Sequence, residues 1–158
     1  MFWKIDADSA RIRVPPPVIY AAFFGGGLLL DRLSGWHLAL PGLIRLGLAA
    51  VAAAISGLIL LAALWRFVRA RTSPEPWKTT RVIIDSGLYA HSRNPMYLGM
   101  ALLYAGGAIL LRSPGALALL VPAVAVIQTQ VIAREERYLE AKFGETYRAY
   151  KARVRRWL

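Results

Sequence analysis

The chain has 158 residues, 57% of them hydrophobic, with 20 Lys and Arg against 9 Asp and Glu and no cysteine, and its mean hydropathy is +0.44. That length holds one domain, residues 1–158, and the missing cysteine excludes disulfides, thiolate zinc sites and a Cys nucleophile. The net charge of +11 does not point to nucleic acid, because the basic residues sit in a few polar segments between long uncharged runs and not on one basic face.

In chain order, the N-terminal segment lacks the basic start, apolar middle and small-residue cleavage site of a signal peptide, so the apolar run that follows is expected to be retained. Four runs carry no Asp, Glu, Lys, Arg or His: residues 14–30, 46–65, 94–111 and 113–133. A helix needs roughly 20 apolar residues to cross about 30 Å of hydrocarbon. The first run begins with Pro15, Pro16 and Pro17, so its helix should start near Pro17 and extend past Asp31 and Arg32, which pair or snorkel. The second holds Ala52–Ala54 and Gly57. Such small residues, like Gly25–Gly27 before them and Gly106 and Gly107 after them, either let helices approach closely in lipid or simply face it.

The central polar segment cannot be a regular helix around Pro74 and Pro76, and Ser86-Gly87 reads as a turn. Asn94 is a good N-cap and Pro95 suits the first position of the third helix. That helix start, with Arg93 beside it, can hold an anion, although an interfacial snorkelling arginine reads the same way. The fourth run leads into Glu135-Glu136. These adjacent carboxylates are unfavourable at a helix C-terminus, so either the helix continues or they serve partners such as Arg93, Arg134 or a bound cation. Beyond them Leu139, Phe143, Tyr147, Tyr150, Val154 and Trp157 recur at three- and four-residue steps, an amphipathic pattern with a break at Gly144. Residues 151–158 are expected to lie on an anionic membrane surface.

Nearly all Lys and Arg fall in the N-terminal, central and C-terminal polar segments; only Arg32, Arg45 and Arg112 lie on or near the opposite ends of the spans. This asymmetry predicts four crossings with both termini and the central segment cytoplasmic. The fold expected is therefore all-α: a multi-pass transmembrane helical bundle of about four spans with a cytoplasmic C-terminal amphipathic helical segment. The expected location is an integral position in a bacterial inner membrane. Membrane lipids, not nucleic acid, are then its expected partners.

The stretch Ser86-Gly87-Leu88-Tyr89, then Ser92-Arg93-Asn94-Pro95-Met96-Tyr97-Leu98-Gly99, resembles the signature of the isoprenylcysteine carboxyl methyltransferase and phospholipid methyltransferase family. So do Glu135-Glu136, Leu139, Phe143-Gly144, Tyr147, Tyr150 and Arg153-Val154-Arg155-Arg156-Trp157, and Thr72-Ser73-Pro74 before the loop. The resemblance runs from about Leu43 to the C-terminus. It implies S-adenosylmethionine-dependent methyl transfer, with the cofactor held by the last two spans and the C-terminal segment. Carried over by motif, the cofactor-binding residues are Tyr89, Arg93, Asn94, Pro95, Tyr97, Leu98, Gly106, Glu135, Glu136, Tyr147, Tyr150 and Arg153. No residue is assigned as catalytic and none as a metal ligand. Asn94 stands where many members have His, and Ala90 where many have Arg.

On this reading Arg93 and the N–H groups near Tyr97 hold the cofactor's carboxylate, and Glu135 or Glu136 its ammonium or ribose hydroxyls. Gly106 admits close backbone approach. The acceptor expected is a lipophilic, prenylated or lipid substrate such as an isoprenylcysteine carboxylate, with a phospholipid amine or a small thiol as alternatives. Two other readings keep the architecture: an NADPH-dependent membrane reductase of related fold, and a non-enzymatic membrane scaffold.

Overall fold

A computed structural model describes residues 6–158. Among these the structure is helical, with no strand and one isolated parallel bridge between Ser92 and Arg155. Five helices follow one another: α1 (Pro16–Ser34), α2 (Gly42–Arg69), α3 (Pro95–Leu110), α4 (Pro114–Phe143) and α5 (Glu145–Arg153). A short 3₁₀ turn, Gly87–Ala90, precedes α3 and starts on Gly87 at φ 64°, where the sequence predicted a turn.

Two helices, α2 with 28 residues and α4 with 30, are long and apolar enough to cross a membrane. At 1.5 Å per residue each exceeds about 40 Å, more than the hydrocarbon core requires. Neither reads as the core helix of a water-soluble fold. On α2, Leu43, Leu46, Val51, Leu58, Leu61 and Val68 are exposed, as expected of side chains facing lipid. α3 is shorter and lies at the centre, against α2, α4 and α1, while α1 packs chiefly along α4.

Small residues set the closest contacts. A methyl group on Gly27 would lie 2.3 Å from the Cα of Ala116, so α1 and α4 meet there backbone to backbone. Gly25 and Gly57 face open space and have no such role. Ser56 of α2 donates a buried hydrogen bond of 2.8 Å to the Gly99 carbonyl on α3.

The three polar segments gather at one end of the bundle. There residues 6–9 meet residues 77–79 and α4, and residues 92–94 meet residues 155–156. Among the described residues, the opposite end holds only the short connections after α1 and before α4. Asp31, expected to pair or snorkel, instead caps α4: its Oδ1 accepts from the Gly115 amide at 2.8 Å and its Oδ2 from the Ser113 hydroxyl. Within the C-terminal segment expected at a membrane surface, Val154 is buried with Tyr147 and Tyr150 against Ile83, Leu139 and Phe143, and Trp157 donates to Gln128 at 2.9 Å. These two side chains turn toward the bundle while residues 151–153 and Leu158 stay exposed.

Candidate functional site

The site forms where α3 begins and α4 leaves the apolar layer. α4 does not end at residue 133. It continues to Phe143 and stops at Gly144, whose φ of 54° only glycine adopts readily. Its turn Ile127–Ile132 is widened into a π-helix just before the glutamates, a local expansion common at functional sites. The two carboxylates thereby reach the start of α3, where their fates diverge.

Glu136 is buried, at 7% exposure. Its Oε1 accepts from Arg93 Nη2 at 2.9 Å and from Arg156 Nε at 3.0 Å, and its Oε2 from Arg156 Nη2 at 2.6 Å. Arg93 also donates to the Lys151 carbonyl at 3.0 Å. The Arg156 fork on Glu136 is bidentate, the strong form of this pair, and the hydrogen bond pushes the Arg156 pKa up. Glu136 is thus a joint between α3, α4 and the C-terminal segment, with both oxygens committed. Among the described residues, Glu135 accepts a hydrogen bond only at Oε2, from the Tyr97 hydroxyl at 2.9 Å. Its other oxygen retains its full acceptor capacity.

The backbone of the C-terminal segment completes the joint. The Arg93 amide donates to the Arg155 carbonyl at 2.9 Å, and the Asn94 side-chain amide to the Arg156 carbonyl at 2.9 Å. Asn94 stands at the N-cap position but makes no side-chain cap to α3. The expected cap is replaced by this tie, because the donor side of its amide is drawn to the neighbouring carbonyl. Tyr150 donates to the Tyr89 carbonyl at 2.8 Å, and Phe67 stands edge-on to Tyr89, centroids 5.7 Å apart. Burial pushes the phenol pKa values of Tyr89, Tyr147 and Tyr150 up, so all three remain neutral.

Around these groups lies a cleft of about 110 Å³. Of the residues expected to bind cofactor, Tyr89, Arg93, Asn94, Tyr97, Glu135, Glu136, Tyr147 and Tyr150 line it. Pro95 is buried behind Asn94 as the first residue of α3, and Leu98 lies one residue past Tyr97, outside the lining. Gly106 is not brought there either. It packs against Ala52 of α2, where an added methyl would sit 2.8 Å from the Ala52 Cβ, and it borders an apolar groove between α1, α2 and α3. Arg153 is likewise outside: it is exposed and faces Asp85 at 3.5 Å. Arg156, three residues on, makes the contact with Glu136, and spacing alone did not separate the two arginines.

Sequence reasoning missed the other wall of the cleft. Residues from Ser73 to Ile84 supply it, including Glu75, Thr80 and Ile83. This stretch has no periodicity to announce a role; its signal was the paired prolines that keep it extended. His91, in the loop, is exposed, as is His37 at the opposite end.

Comparison with known proteins bears on this geometry. An uncharacterised protein of Haemophilus influenzae is 63% identical over 35 residues, which are 22% of this chain and 56% of that protein, so the chain spans about half the length of the curated relative it matches. The family profile described as "Phospholipid methyltransferase" matches residues 44–146, a span from the start of α2 to the start of α5 that includes Arg93, Tyr97 and both glutamates. The chain belongs to the phospholipid methyltransferase family, the integral membrane methyltransferases whose signature its loop and glutamate pair resemble.

Proposed function

We propose that this chain is an S-adenosylmethionine-dependent methyltransferase acting on a lipophilic acceptor. In this reading α1 to α4 are four spans of a bacterial inner membrane. Both termini and the segment between α2 and α3 then face the cytoplasm, because these segments hold nearly all the Lys and Arg.

The observation that carries the reading is the unequal state of the two glutamates in one aromatic-walled cleft. Glu136 is neutralised by two arginines, whereas Glu135 keeps one oxygen without a hydrogen-bond partner among the described residues. The donor set suits the cofactor's ends. Arg93 Nε is buried without a partner, as a donor awaiting a carboxylate would be. Glu135 Oε1 is an acceptor for an ammonium or a ribose hydroxyl and sets a negative charge where a sulfonium has to be accommodated. Tyr97 fixes the orientation of Glu135, and Tyr89, Tyr147, Tyr150 and Phe67 offer apolar faces that exclude water. When bound, the cofactor supplies a methyl group on a sulfonium; the acceptor's lone pair forms the new bond and the electrons of the breaking S–C bond stay on sulfur.

A carboxylate or thiolate acceptor needs no general base, so positioning and exclusion of water carry the rate, worth about 7–11 kcal/mol in favourable cases. An amine acceptor has to lose a proton, and in that case Glu135 would serve as the base in place of holding the cofactor's ammonium. The acceptor proposed first is an isoprenylcysteine carboxylate; the family's description favours a phospholipid amine as the second reading. Either would arrive through the bilayer. An apolar groove of about 530 Å³, lined by Tyr20, Phe24, Ala49, Met100 and Gly106, opens between α1, α2 and α3. Met100 lies one helical turn from Met96, which borders the cleft, so an acceptor tail in the groove would leave its head near Glu135.

The test is transfer of a labelled methyl group by the purified protein to a panel of prenylcysteines, phospholipids and lipophilic thiols, with NADPH titrated in parallel. Methylation of at least one lipophilic acceptor is expected, with S-adenosylmethionine binding and no NADPH binding. Tight NADPH binding without S-adenosylmethionine binding would replace this reading with the reductase. Binding of neither would leave a membrane scaffold.

A further inference from the structure

The cleft's outer wall, residues 72–85, is irregular chain. Besides the Thr72 amide bond to the Phe67 carbonyl and the exposed Asp85–Arg153 pair at its two ends, its hydrogen bonds to the rest of the described protein converge on one place. The Thr79 amide and hydroxyl donate to Asp6 Oδ2 at 3.0 and 3.3 Å, and the Asp6 amide donates to the Trp77 carbonyl at 2.9 Å. The next amide, Thr80, donates to the Tyr138 hydroxyl at 3.2 Å. That hydroxyl donates in turn to the Asp8 carbonyl at 3.1 Å and accepts from Lys142 Nζ at 3.1 Å, and Lys142 forms an ion pair with Asp8. A phenol has one donor and two acceptor sites, so Tyr138 is fully used. It joins three segments that are distant in sequence: the N-terminal strap, the cleft wall and α4 immediately after the glutamates.

The side of the wall that faces the cleft is held differently. Ile83 packs on the Tyr147–Tyr150–Val154 cluster by apolar contact, Val82 and Ile84 line the cleft beside it, and the polar tie there, Arg153 to Asp85 at 3.5 Å, is exposed and weak. Apolar packing can part and reform without breaking a directed bond, whereas opening the wall at Tyr138 breaks several hydrogen bonds at once, the Thr80 one of them part-buried. The accessible volume of about 110 Å³ is also below the roughly 300–1,000 Å³ of small-molecule sites, and outward movement of this wall is one way for the cleft to admit a nucleoside-sized ligand.

We propose that Tyr138 is a positioning residue, the latch of a lid: with the strap at Asp6 and Asp8 it holds residues 72–85 closed over the cleft, and ligand passage waits on its release. The ligand's identity rests on the proposed function; the latch does not. Lids that close over bound substrates commonly govern exchange with solvent. Here the closing device lies outside the cleft lining, so it can be altered without touching the groups that would contact ligand.

The experiment is hydrogen exchange followed by mass spectrometry on the full chain in lipid nanodiscs, comparing wild type, Tyr138→Phe and Asp6→Ala, each with and without S-adenosylhomocysteine. Tyr138→Phe is expected to speed exchange across residues 72–85 by about tenfold, the consequence of losing one or two ordinary hydrogen bonds, and to leave α2 and α3 unchanged. Asp6→Ala keeps Tyr138 and should loosen the same peptides, which preserves the test if the tyrosine variant folds poorly. Dissociation of S-adenosylhomocysteine should accelerate by a similar factor, while methyl transfer at saturating cofactor stays within twofold. Unchanged exchange at 72–85 in both variants, or an increase spread evenly over the bundle, would overturn the latch. If S-adenosylhomocysteine has no effect on the wild type, the cofactor assignment fails, and the exchange comparison still decides the latch.

Discussion

Each end of the bundle places carboxylate at the start of a helix, and the two ends do so to different purposes. At the end bearing the short connections, Asp31 spends both oxygens on the first turn of α4 and nothing remains for a ligand. At the polar end Glu136 is equally committed, to Arg93 and Arg156, but among the described residues its neighbour Glu135 is held through one oxygen only, by Tyr97. The difference teaches that a buried carboxylate near a helix start is not by itself a site. What marks a site is acceptor capacity left over in a cleft after the fold's own donors have been served.

The sharpest way to break this comparison is at Glu136. Glu136→Gln removes the charge that balances two arginines. Breaking a buried ion pair from one side costs about 3–5 kcal/mol, so the C-terminal segment should detach. Limited proteolysis after α4 and a markedly lower thermal midpoint are the expected signs.

Glu135→Gln should do the reverse. It keeps a hydrogen-bonding partner for Tyr97 and leaves the midpoint within a few degrees, but weakens binding of S-adenosylhomocysteine by the worth of a charged hydrogen bond, about 1.5–3 kcal/mol or roughly 10- to 150-fold. A calorimetric titration measures it. Asp31→Ala, at the opposite end, should lower stability by about 0.5–2 kcal/mol, as other lost N-caps do, without changing cofactor affinity. Smallest of all, Arg153→Ala should move stability by no more than about 0.5 kcal/mol, since its exposed pair with Asp85 is worth little, while Arg156→Ala should approach the Glu136 variant in effect. If Arg153 and Arg156 prove equivalent, the joint described at Glu136 is wrong.

The helices were legible because their signals are local. Uncharged runs, prolines at helix starts and Gly144 at a helix end are read from a few adjacent residues, and the structure places α1 past Asp31 and breaks α4 at Gly144 as expected. Pairing of Arg93 with the glutamates was also among the options, since both flank the same membrane end. The rest depends on tertiary approach. Nothing in the run from Arg153 to Arg156 tells which guanidinium turns inward. That is decided by the bridge of Ser92 with Arg155, which leaves Arg156 over Glu136. Gly106 looked like a cofactor contact by motif and serves helix packing against Ala52. Beyond Thr72-Ser73-Pro74, which the resemblance marked, the wall up to residue 85 was invisible for another reason: irregular chain has no period, and its partners, Asp6 and Tyr138, lie more than 50 residues away on either side.

The most direct test of the central claim is photocrosslinking of labelled S-adenosylmethionine to the protein in nanodiscs, with the labelled peptides identified by mass spectrometry. The account predicts label on the peptides carrying Tyr89 to Tyr97 and Glu135 to Tyr150, competed by S-adenosylhomocysteine and lost in Glu135→Gln. Label confined to the opposite end around Asp31 and His37, or undiminished label in that variant, would contradict it.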